Sequence, residues 1–299
     1  MILCGVFYWE GDILPIGYYA LLVFLGGCSY GVLSTIVKSA YGAGLGVADV
    51  SGGQAFFGMC MLCLASLKWL KEGQDIKQAV ILIICGIPMG LSTIFYYHSL
   101  ETLSASMAII CLFQFVWMGT AVEAVFCRKL PHIHKIISIG LLLAGSVLGV
   151  GGEMGDGFSF SAGLVWGLLA AVSYASVIFV SGTVGTQVPP LLKSAWMSVG
   201  ASVVVFLFLR PGFLADQEAF VSLLPYGLLL GFFGMAVPPF LFSVGIPRLG
   251  PGLGSILTAS ELPMAVFMAC FVLGEEVSPP QWAGVGLILI GIIIGNKRA

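Results

Sequence analysis

The stretch Leu257 to Phe267 reads LTASELPMAVF and sets Glu261 inside an otherwise uncharged run from Leu249 to Gly274. A charge at the centre of a bilayer costs about 2.5 to 3.5 kcal/mol on insertion scales, so such an acid needs a compensating role. A carboxylic acid softens the cost by keeping its proton when buried. A group that is neutral when dry and charged when wetted suits proton carriage, and a cationic ligand would neutralise the same group directly. Two residues on, Pro263 removes a helix hydrogen bond and leaves a carbonyl near Ala259 open to another partner. The competing reading is that Glu261 pairs with a buried polar side chain and only locks helices together.

Helical spacing supplies further candidates. Tyr30, Ser34 and Lys38 recur every four residues and form one polar stripe. Against this, Tyr30 can simply pack, Ser34 can bond its own backbone and Lys38 can snorkel. Gln114 shares a face with Cys111 and Met118, and a buried amide needs partners. Tyr97, Tyr174 and Trp166 offer ring faces for amines or flat metabolites, although aromatic residues in such helices more often pack. Glu123, close to Arg128 and Lys129, is expected to reach an interface. Gly27 to Gly31, GCSYG, matches the G-x-S-x-G of serine hydrolases, with His98 as the one histidine in an apolar stretch. Cys60 and Cys63, or Cys127 with His132 and His134, are too sparse for a metal site, and no disulfide framework, metal or cofactor is expected. No G-x-x-x-x-G-K-[ST] grips a nucleotide phosphate.

The elements that position these residues follow from composition. Of 299 residues 59% are hydrophobic and 9% charged, against about 25% charged in soluble domains. So few charges cannot clothe a water-facing surface. The chain reads as an all-α membrane protein with ten transmembrane helices at 17-37, 50-69, 79-99, 104-126, 135-152, 161-182, 191-209, 222-245, 250-273 and 279-296. Most Lys and Arg, Lys193 among them, fall in alternate joins, which predicts both termini in the cytoplasm and a place in the inner membrane. Residues 1-16 carry no cation, unlike a secretory signal, and form an N-terminal cytoplasmic segment.

Shifting the sequence by 146 lays Gly140-Leu-Leu-Leu-Ala-Gly145-Ser-Val-Leu-Gly149 on Gly286-Leu-Ile-Leu-Ile-Gly291-Ile-Ile-Ile-Gly295, and a shift of 144 lays Ser29-Tyr30 on Ser173-Tyr174. The unit is five helices, 17-152 and 161-296. Because five is odd, the second copy enters from the opposite side, giving two five-helix inverted-topology repeats. Such units can exchange conformations around a central site, which is the logic of a secondary transporter. The Gly145 and Gly291 pairs let helices approach closely, within one chain or in a homodimer.

The 5+5 arrangement, the paired G-L-x-L-x-G-x-x-x-G helices, Tyr96-Tyr97 leading to Leu103-Ser-Ala-Ser106, and Glu261-Leu-Pro263 followed by Leu273-Gly-Glu275 resemble the drug/metabolite transporter superfamily, EamA type, over about residues 17 to 296. The first half departs from the pattern, with Trp117 opposite Pro263 and Lys129 opposite Glu275. The resemblance implies a central cavity lined by helices one, three, four, six, eight and nine, with the fifth and tenth outside. The expectation is therefore a carrier, not an enzyme. It would move a small polar or cationic metabolite, an amino acid or amine, by alternating access, with export favoured and protons a candidate coupling ion. Glu261 is the central group, and Tyr30, Ser34, Gln114, Tyr97, Tyr174 and Trp166 are wall candidates. The expected partners are a small-molecule substrate and the lipid bilayer, not nucleic acid. Two alternatives stand beside it: a lipid-headgroup flippase of the same fold, and an intramembrane hydrolase using Ser29 and His98.

Overall fold

The computed structural model describes residues 15–70, 75–100, 105–127, 131–149, 162–274 and 276–296. Most of the N-terminal segment, Leu103, Ser104, the loop residues Arg128, Lys129 and Glu275, and both repeat boundaries near 152 and 161 lie outside them. The described chain is helical, as apolar segments must be where no water can satisfy their amides and carbonyls. In chain order the helices are α1 Ile16–Gly42, α2 Val47–Ala65, α3 Ile76–Leu100, α4a Ala105–Phe113, α4b Phe115–Cys127, α5 Ile133–Gly149, α6 Ala162–Thr183, α7 Pro190–Leu209, α8 Gln217–Leu249, α9a Pro251–Thr258, α9b Glu261–Phe271 and α10 Pro279–Asn296. A single short turn, Leu67–Leu70, follows α2. Among the described residues nine helical segments are long and apolar enough to cross a bilayer, and α5 is a shorter apolar helix of 17 residues.

Local chemistry explains the starts. Proline opens α7, α9a and α10, where its missing N–H costs nothing. Asp216 caps α8 by accepting from the Glu218 and Ala219 amides at 2.9 and 3.4 Å. Within α8 the turn Gly231–Ala236 widens to a π-helix just ahead of Pro238 and Pro239, which cannot donate to the preceding turn. Ser29 of α1 donates to the Phe233 carbonyl there at 2.7 Å.

The packing repeats after five helices. The α3–α7 contact has its counterpart in α8–α2, α3–α6 in α8–α1, and α4b–α6 in α9b–α1. Three equivalent pairs touch directly, and each is antiparallel. Asp49 of α2 accepts from the Gly212 and Phe213 amides just past the end of α7, whereas Ser202 of α7 donates to Ala55 further along α2. Glu123 of α4b lies against Gly250 while Gly119 lies against Ser255. Ser138 of α5 donates to Gly291 of α10 at 2.7 Å, and Gly145 meets Ile288 and the Gly284 carbonyl. The halves are inverted, and the glycines of α5 and α10 serve a contact inside one chain.

Three expectations change. Helices four and nine are each broken in two, at Gln114 and at Ala259–Ser260, positions that the 146-residue shift superposes. Lys193, expected at an interface, is 1% exposed inside the bundle and donates to the Ser181 carbonyl at 2.7 Å, closing the last turn of α6. Glu123 reaches Lys135 of α5 at 2.8 Å in a partly buried ion pair.

Candidate functional site

The site grows from the break in helix nine. Ala259 and Ser260 end α9a with tight i→i−3 bonds to Ile256 and Leu257, and α9b restarts at Glu261. Pro263 therefore sits in the first turn of α9b, where no amide is needed, and it marks the restart. Helix α1 clamps the break. Ser260 donates to the Phe24 carbonyl at 2.7 Å, and Gly27 and Gly31 let the α1 backbone lie directly on Ser260 and on the Glu261 carbonyl. Only glycine allows that approach.

Glu261 is half-buried among phenols from three helices: Tyr30 of α1, Tyr96 of α3 and Tyr174 of α6. Tyr174 is buried and its hydroxyl is turned to the Glu261 carboxyl without reaching hydrogen-bond geometry, so that this oxygen has no bonded partner. The rings brace one another edge to face, Tyr30 to Tyr174 at 5.9 Å and Phe115 to Tyr174 at 4.6 Å, with Tyr30 also against Phe242 at 5.9 Å. Phe115 stands 146 positions before Glu261, so the inverted repeat places a ring where the second half has the acid. A carboxyl with three phenols near it can neutralise a single cation, and rings beside it suit an organic cation.

The remaining candidates scatter. Tyr97 turns from Glu261 toward Tyr41 and Ser51, so its neighbour Tyr96 takes the place beside the acid. Ser34 is exposed and bonds the Gly31 carbonyl at 3.2 Å. Gln114 uses its amide within the break of helix four, donating to the Ile110 carbonyl at 3.1 Å and accepting from Trp117 at 2.9 Å. Trp166 packs between Phe95 and His98, at 5.5 and 5.6 Å, among α3 and α6. Ser29 is committed to the π-turn and His98 to Trp166, in different contacts. Tyr96 stands in the sequence pattern only as the neighbour of Tyr97, and nothing in type or spacing distinguishes Phe115 and Phe242 from the many other aromatic residues except the repeat relation of Phe115 to Glu261.

The two-fold likeness of the halves fails at one place. Helix α9a packs on α4b and on α6, whereas the counterpart pairings of α4a with α9b and with α1 are at most grazing among the described residues. The α4b–α9a and α6–α9a contacts shut the bundle at the end holding Pro251.

Residues 161–296, which are α6 to α10 with the last residue before α6, match the EamA-like transporter family. A Bacillus subtilis (strain 168) protein named as an uncharacterized transporter, YwfM, is 26% identical over 137 residues, 44% of this chain and 45% of that protein. The match thus spans less than half the length of that relative. A solved crystal structure superposes with a TM-score of 0.75 at 16% identity, covering 94% of this chain and 96% of that one, a likeness of fold.

Proposed function

Since the second half of this multi-pass membrane protein is an EamA-like transporter domain, we propose that the whole chain is a secondary active transporter of the drug/metabolite type. Its cargo on this reading is a small organic cation, an amine or the amine end of an amino acid, held at Glu261. The observation that carries the reading is a carboxyl set beside Tyr30, Tyr96 and Tyr174 at a helix break. A backbone interrupted at mid-span is tolerated where it lines a cavity, and inverted repeats use such sites for binding. Paired breaks at Gln114 and Ser260 give both halves a joint at which to exchange shapes. Alternating access follows, with the present arrangement closed at the Pro251 end.

Placement in the inner membrane with both termini cytoplasmic, and export in preference to import, belong to the same proposal. When the site is empty a proton on Glu261 replaces the cation, which couples flux to pH. The test uses purified protein in liposomes with a panel of radiolabelled amines and amino acids. Wild type should move at least one amine in a pH-dependent way, and Glu261→Gln should fold normally yet lose that flux. Unchanged transport and an unchanged pH profile in Glu261→Gln would remove the acid from the mechanism. Transport of lipids alone would replace the cargo.

A further inference from the structure

The shut end of the bundle carries an ion pair that the cation site does not use. Lys135 at the start of α5 contacts Glu123 near the end of α4b, Nζ to Oε2 2.8 Å, and each side chain is 21% exposed. The pair rests on the turn that joins α8 to α9a. Gly250 takes φ 84° there, and a Cβ on it would stand 2.6 Å from Glu123 Oε1. A Cβ on Gly252 would collide with Glu123 Oε2 and stand 3.1 Å from Lys135 Nζ. Bare backbone at both positions is what lets the charged pair sit down on the turn. The carboxylate also meets the start of α9a, the end of a helix that favours negative charge. The pair therefore ties two helices of the first half to the α8–α9a turn of the second, beside the α4b–α9a contact that closes this end.

The two residue types of the pair do not recur at the repeat-related positions. The positions 146 residues on are Ala269 and Gln281, and Gln281 accepts from the Ser278 amide at 2.8 Å instead. We propose that Glu123 and Lys135 form a latch that holds the bundle closed at the Pro251 end and must leave Gly250 and Gly252 before the site opens that way. The latch rests on the alternating-access reading for its purpose, although not for its detection.

The test reads opening directly. Ser255 is fully buried at the closed contact, beside Gly119, and Ser198 is fully buried in α7 away from it. Ser255→Cys and Ser198→Cys are placed separately in a full-length chain whose eight native cysteines are replaced, reconstituted in nanodiscs. Each introduced thiol is then labelled with a membrane-impermeant maleimide. Lys135→Met and, separately, Glu123→Gln should each raise the labelling rate at position 255 at least fivefold and leave position 198 as slow as before. Unchanged labelling at position 255 would overturn the latch, and so would equal acceleration at both sites, which signals general loosening. Because labelling does not require flux, a latch that releases in a chain that carries no solute would sink the transport reading alone.

Discussion

The contact of α1 with the restart of helix nine makes Gly31→Ala the sharpest probe of the site. An added Cβ at residue 31 would fall 2.6 Å from Met264 Cβ and 2.9 Å from the Ala265 amide nitrogen, and would collide with the Glu261 carbonyl. Ordinary contact begins near 3.4 Å, so α1 and α9b must part by roughly 0.8 Å against Met264 alone. Two of the three atoms are backbone, so no rotamer change relieves the crowding. Overpacking of this kind typically costs about 1 to 3 kcal/mol. The displacement also moves Tyr30, the next residue, relative to Glu261. A shift near 1 Å in a binding constellation can cost on the order of 100-fold in activity. The expected outcome is a lowered melting temperature in detergent, together with loss of amine-dependent stabilisation. Gly140→Ala is the control, because nothing lies within 4 Å of a Cβ there. If Gly31→Ala melts and binds like Gly140→Ala, the close approach of α1 to the acid is wrong.

Two further changes separate fold from function. Tyr174→Phe removes a buried hydroxyl that has no bonded partner, so the melting temperature should hold or rise, while the temperature shift given by amines shrinks. A large fall would mean that the hydroxyl is bonded; leaving a buried partner unsatisfied costs about 1 to 3 kcal/mol. Lys193→Met keeps the buried stem and discards an ammonium whose bonded neighbour is the Ser181 carbonyl. It leaves the Ser181 carbonyl without that donor, a loss of about 1 to 3 kcal/mol in a thermal melt, whereas Lys193→Ala adds a void worth about 2 to 5 kcal/mol. Equal losses in the two variants would show that the ammonium itself is needed.

Much of the architecture was legible in the residues. Apolar runs divided by Gly, Pro and charges show the crossings, and the Gly pattern of α5 and α10 shows the repeat, because both arise from simple demands of length and close packing. The breaks at Gln114 and Ser260 were hidden, since a composition that suits one long apolar helix suits two short ones equally well. Tyr96 and Tyr97 are neighbours that differ by about a quarter turn, and only the set of the helix decides which one meets Glu261. Glu123 has Arg128 and Lys129 near it in sequence, while its partner Lys135 begins the next helix and becomes a neighbour only when α4b and α5 are folded together. Trp166 was eligible for the cavity by type and apolar setting, yet its ring is taken up by Phe95 and His98.

The pairing of Glu261 with Phe115 across the repeat limits what can be carried. A duplicated site with an acid in each copy would suit two positive charges; here the second module has an acid where the first has the ring of Phe115. On the proposed reading a divalent solute would leave half its charge uncompensated there, so the expected cargo is monovalent and flux assays with divalent amines should show little transport.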